Sequence, residues 1–90
     1  MHVVLTQEAV ADLAEIRATI NQDNPTAALR VATQLMTTCD RLGQFPERGR
    51  IGLVEGTREL VAFWPYVIVY RITPPSVFII RILHGARDRA

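Results

Sequence analysis

The spacing of apolar positions changes twice along this chain, and each change marks a boundary between elements. Residues 2–5 (His-Val-Val-Leu) are apolar and β-branched and predict a short strand. Thr6 supplies an N-cap oxygen, and Glu8 follows in the first turn, where a carboxylate suits the helix dipole. Val10, Leu13, Ile16 and Ile20 then recur at three-to-four spacing, one face of an amphipathic helix. Asn21–Asn24 ends it. Asn24-Pro25 starts a second helix, because asparagine caps well and proline fits the first helical position. Ala28, Val31, Ala32, Leu35, Cys39 and Leu42 line its apolar face, and Gly43 is the expected stop.

Beyond Gly43 the period falls to two. Residues 45–52, with Pro46, Gly49 and Gly52, read as a loop in which Glu47 and Arg50 are solvated or locally paired. Three strands follow at 57–63, 66–73 and 77–84, separated by Trp64-Pro65 and by Pro74-Pro75-Ser76. The order is β-α-α-β-β-β, an α+β fold with a helix hairpin covering one face of a small antiparallel sheet. Strict alternation assigns the faces. Burying the arginine-free sets leaves Arg58, Arg71 and Arg81 on the open face, interleaved with Leu60, Val67, Val69, Ile79 and Leu83. Arginines among branched apolar side chains make that face the expected binding groove.

Ninety residues form one domain, spanning 1–90, with no room for a second core. A 49% hydrophobic content is generous at this size and points to apolar surface reserved for a partner. No apolar run approaches the roughly 20 residues that cross a bilayer, and the N-terminus lacks the basic start of a secretory signal, so the cytoplasm is expected. The single cysteine, Cys39, occupies a helix core position and reads as a buried thiol. His2 has no ligand-spaced companion, so neither a metal nor a cofactor is expected. The charge is asymmetric: three arginines oppose five acids in residues 1–45, whereas seven arginines oppose four acids in residues 46–90. The basic half suits an acidic partner, but a net charge of +1 gives little counterion release, so the chain alone is not expected to bind nucleic acid.

The chain resembles the RelE/ParE family of toxins. The resemblance is carried by Asn24-Pro25-x-Ala27-Ala28 and Leu42-x-x-Phe45-Pro46-x-x-Gly49-Arg50. It continues through Thr57-Arg58-Glu59-Leu60, Tyr66-Val67-Ile68-Val69-Tyr70-Arg71 and Ile82-Leu83-His84-Gly85-Ala86-Arg87-Asp88, and covers nearly the whole chain. It implies a toxin silenced by an antitoxin whose C-terminal segment wraps the hairpin and sheet. The toxin–antitoxin complex would bind DNA through the antitoxin.

Two activities are implied by this family: ribosome-dependent cleavage of messenger RNA, and binding of DNA gyrase without catalysis. A ribonuclease needs groups to activate a 2′-hydroxyl, hold the phosphorane and protonate the leaving oxygen. RelE-like nucleases carry arginine directly after the residue matching Tyr66; here that residue is Val67, and no tyrosine follows Tyr70. Arg58, Arg81, His84 and Arg87 are the remaining candidates for catalysis. Tyr66-Val67 and the Ile-Leu-His-x-x-x-Asp ending look more like the ParE branch, which favours gyrase inhibition and a ParD-like antitoxin over mRNA cleavage. Arg58, Leu60, Val69, Arg71, Arg81, Leu83 and Arg87 are then the expected partner contacts. Tyr66 and Tyr70 read as core. Trp64 reads as half-exposed, His84 as a strand-end residue bonded to a neighbour such as Glu59, and Arg87–Arg89 as a fraying tail.

Overall fold

The computed structural model describes residues 1–88. The chain forms β1 (His2–Leu5), α1 (Gln7–Asn21), α2 (Pro25–Arg41), a 3₁₀ turn (Pro46–Arg48), β2 (Arg50–Ile51), β3 (Arg58–Phe63), β4 (Tyr66–Thr73) and β5 (Ser76–His84). Both predicted N-caps form. Thr6 Oγ1 accepts from Ala9 N at 3.1 Å, and Asn24 Oδ1 accepts from Ala27 N at 3.0 Å. Each satisfies a helix-end N–H that has no intrahelical partner.

The sheet is larger than the expected three-stranded meander, and it is mixed. Its order is β1-β5-β4-β3-β2, with β1 parallel to β5 and the other neighbours antiparallel. The helix hairpin and the strands β2–β4 lie between β1 and β5 in the chain, so the two can pair in parallel, which no tight turn would permit. β2 lies inside the segment read as loop. At two residues it is too short for an alternation pattern to show.

Gly43 stops α2 by close approach rather than by a left-handed turn. Leu42 caps the helix in the ordinary right-handed region, and a Cβ on Gly43 would come within 2.6 Å of the Met1 carbonyl oxygen. The Met1 ammonium donates to the Gly43 carbonyl at 2.8 Å, so β1 and the end of α2 are tied together.

The core joins Ala9 and Ile16 of α1, Leu35 and Cys39 of α2, and Ile68, Tyr70, Val77, Ile79 and Ile82 of the sheet. Cys39 is the buried thiol expected, fully enclosed. Burial, with a smaller push from the Asp40 carboxylate, raises its pKa to about 12. Because the thiolate is the reactive form, folded protein at pH 8 is expected to leave Ellman's reagent unreacted. Denatured protein should release one equivalent of chromophore; prompt reaction of the folded chain would contradict this burial.

Strict alternation fails in β5, and the failure redraws both faces of the sheet. The β4–β5 register shifts between Val69 and Tyr70, where Val69 opposes Arg81 but Tyr70 opposes Ile79. Ile80 is the extra residue of a β-bulge, which reverses the side-chain sense on either side of it. Val77 and Ile79 therefore join Ile82 under the helices, contrary to the expectation that placed Val77 and Ile79 with Arg81. In β3, Leu60 opposes Ile68 and packs against the core, so it leaves the open face; Arg58 opposes Tyr70 on that same side. Val61, expected inside, is 47% exposed.

Candidate functional site

Two surfaces follow from this architecture. The first is the face of the sheet away from the helices. Val69 and Leu83 are half-buried on it, and Arg71 is exposed. The Arg71 guanidinium lies over Gly56, whose positive φ of 82° and lack of a side chain admit it. Glu59 is buried beside them because the segment after β2 folds across it. Its carboxylate accepts from Leu53 N at 3.2 Å and from Arg50 Nη2 at 3.3 Å. Arg50 therefore pairs with Glu59 and not with Glu47, and Glu59 stands apart from His84.

The second surface is a groove along the outer side of the helix hairpin. Val10, Leu13 and Arg17 of α1 and Leu29, Met36 and Thr37 of α2 line it. Val10 and Leu29 are 54% and 57% exposed. Sequence patterning missed this groove by placing Val10 on the core face and leaving Leu29 and Met36 unassigned. The available signal was the seven-residue spacing of Leu29 and Met36, two helical turns on a stripe beside the buried one.

Of the residues nominated for catalysis, His84 and Arg87 share a small recess with Tyr66, but the four do not converge. Arg58 donates to the Gly49 carbonyl at 2.8 Å and the Glu47 carbonyl at 3.4 Å, beside the 3₁₀ turn. His84 sits at the other end of β4, opposite Tyr66, whereas Arg58 is opposite Tyr70. Four residues of strand separate those positions, roughly 13 Å. Arg81 reaches over the sheet edge to α1, giving Asp12 a two-pronged bond from Nε at 2.7 Å and Nη2 at 2.9 Å. Asp12 also accepts from Ile82 N at 2.9 Å, an N–H that the β1–β5 pairing, ending at Leu5–Ile79, does not reach. Burial opposes ionisation of Asp12. The Arg81 hydrogen bonds, the Ile82 N–H and the Arg81 charge outweigh it and hold the carboxyl below its ordinary range.

Arg81 and Arg87 do come together in a shallow recess, but Asp12, Glu15 and Asp88 line it with them. Three carboxylates against two guanidiniums cannot favour a scissile phosphate. His84 packs edge-on against Tyr66, with ring centroids 5.8 Å apart. Its Nδ1 accepts from Arg87 N at 3.2 Å, and its own N–H donates to Asp88 Oδ2 at 2.7 Å. Arg87 and Asp88 thus belong to a bonded turn and do not fray; Arg89 lies outside the described residues. Trp64 is 69% exposed, more open than expected.

The fold is thus a two-helix hairpin on a five-stranded mixed sheet, with a solvent-open apolar groove in the hairpin. The chain matches the family model described as the ParE toxin of type II toxin–antitoxin systems, over residues 3–89, and it belongs to that family. It is 48% identical over 85 residues to Toxin RelE2 of Caulobacter vibrioides, covering 94% of this chain and 96% of that one. A putative toxin of Sinorhizobium fredii, Y4kP, is 44% identical over 81 residues, covering 89% and 83% of the two chains. Among solved structures, a chain of the chromosomal ParDE toxin–antitoxin system of P. aeruginosa superimposes with a TM-score of 0.86 at 27% identity. That match covers 93% of this chain and 95% of the other.

Proposed function

We propose that this type II toxin acts as a ParE-like inhibitor of DNA gyrase, by binding and without catalysis, in the cytoplasm. One observation supports the choice: Arg58 lies at the far end of β4 from His84 and Arg87, and Arg81 is bound to Asp12, so the four never surround a common point. Arg58 is too far from His84 and Arg87 to share a phosphorane with them, and the Asp12 carboxylate neutralises Arg81. Val69, Arg71 and Leu83 on the open sheet face, together with Arg87 beside α1, are the contacts proposed for the target. A ParD-like antitoxin lays an amphipathic helix along the hairpin groove, with apolar residues at i, i+3/i+4 and i+7 meeting Val10, Leu29 and Met36. Repression of their shared promoter is then a property of the complex, with DNA held by the antitoxin.

Messenger-RNA cleavage on the ribosome is the competing function, and the relatives named RelE keep it in the test. Expression without the antitoxin should give filamentous cells with an induced DNA-damage response, and purified toxin should block gyrase supercoiling. Rapid translation arrest with cut mRNA and unaffected supercoiling would replace this function with the nuclease.

A further inference from the structure

The turn after α2 presents an anchored aromatic between two arginines. Phe45 is 62% exposed, and Arg41, Gln44, Pro46, Glu47 and Arg48 surround it in a shallow recess. Its exposure is built in by the backbone. Phe45 N donates to the Arg41 carbonyl at 3.0 Å, and the Phe45 carbonyl accepts from Arg48 N at 3.2 Å. The next residue is clamped from inside the core, where the Tyr70 hydroxyl donates to the Pro46 carbonyl at 2.6 Å. The backbone of Phe45 is therefore held on both sides, which fixes the direction in which its side chain leaves the chain.

The charge around this recess is unbalanced. Arg41 and Arg48 are exposed and belong to no salt bridge among the described residues, whose two such pairs use Arg50 and Arg81. Arg58 adds a third guanidinium beside the same turn. Glu47 is the one carboxylate lining the recess. A fixed aromatic flanked by unneutralised arginines matches an acidic segment carrying an apolar anchor residue. The position indicates which segment: Thr37 and Asp40 line one end of the hairpin groove, and Arg41 opens this recess on the same last turn of α2.

We propose that Arg41, Phe45 and Arg48 bind an acidic, apolar-anchored stretch of the antitoxin, continuous with the part that fills the hairpin groove. This rests on the groove being the antitoxin's seat, so the two are tested separately. The probe for the recess is a fluorescein-labelled hexapeptide, DELWDE, titrated into the full-length toxin by fluorescence anisotropy; its amide counterpart NQLWNQ and a uridine hexanucleotide serve as comparisons.

Single exposed charge contacts are weak, so both arginines are changed together. Binding of DELWDE is expected to weaken about tenfold in the Arg41→Gln/Arg48→Gln protein, and similarly in Phe45→Ala. NQLWNQ should bind poorly. Circular dichroism should show every variant folded, because all three side chains are exposed. Equal binding to wild type and the double variant, no binding to wild type, or tighter binding of the hexanucleotide would overturn the proposal. Leu29→Glu should leave peptide binding unchanged while abolishing the complex with the antitoxin. A complex that survives Leu29→Glu removes the groove assignment and, with it, the proposed continuity.

Discussion

Replacing Tyr70 with alanine is expected to destabilise the fold by roughly 3–5 kcal/mol, the usual range for removing a buried aromatic. Tyr70 is fully buried within the core cluster, and its ring reaches from β4 to Gly49 behind the 3₁₀ turn. Its hydroxyl does separate work. It donates to the Pro46 carbonyl at 2.6 Å and accepts from Gly49 N at 2.8 Å, closing the 3₁₀ turn onto the sheet. Burial raises the phenol pKa and the Gly49 N–H opposes this, as do the charges of Arg58 and Arg48 to a smaller degree; the net shift is upward. Tyr70→Phe isolates the hydroxyl and should cost about 1–3 kcal/mol by orphaning the Gly49 N–H and the Pro46 carbonyl. Urea unfolding midpoints measure both. A Phe variant as stable as wild type would show that solvent satisfies the turn without Tyr70.

The second large effect is expected at Asp12. Asp12→Ala removes the partner of Arg81 and the acceptor for Ile82 N, and should cost about 1–3 kcal/mol, mostly through the unsatisfied N–H. Arg81→Ala should cost less, about 1 kcal/mol or below. The Arg81 side chain is 47% exposed, and Asp12 keeps its bond to Ile82. This asymmetry separates a helix-to-strand clamp from a simple surface ion pair, which would lose equally from either side.

The pH dependence follows from the depressed pKa of Asp12. The folded carboxyl ionises below its unfolded value of about 4, so its contribution is fully present above that value. It is lost as pH falls from about 4 through the lower folded pKa. Wild type should therefore lose more stability than Asp12→Asn on acidification below about pH 4. Parallel acid profiles would mean that Asp12 is not clamped in solution.

Most of the element order was legible because the signals are local. Thr6 and Asn24 cap their own next turn, and helical spacing through Leu35 and Cys39 needs only the pitch of the helix. The site was less legible. Arg81 was a candidate for open-surface chemistry until its partner, 69 residues earlier in the chain, came into view. Leu60 was a candidate contact until the β3 register turned it toward Ile68. Nothing in either residue's own neighbourhood announces that outcome.

The amino-acid sequence by itself determined a helix hairpin followed by strands, a buried Cys39 and a family resemblance carried by short motifs. These depend on backbone propensity, capping and periodicity, which act within one or two turns of chain. Tertiary structure decided which side of the sheet each arginine serves. One bulged residue, Ile80, reverses the alternation that assigned the faces, and β1 pairs with β5 from the opposite end of the chain. Both are settled by packing between distant segments, whose energies no local pattern records.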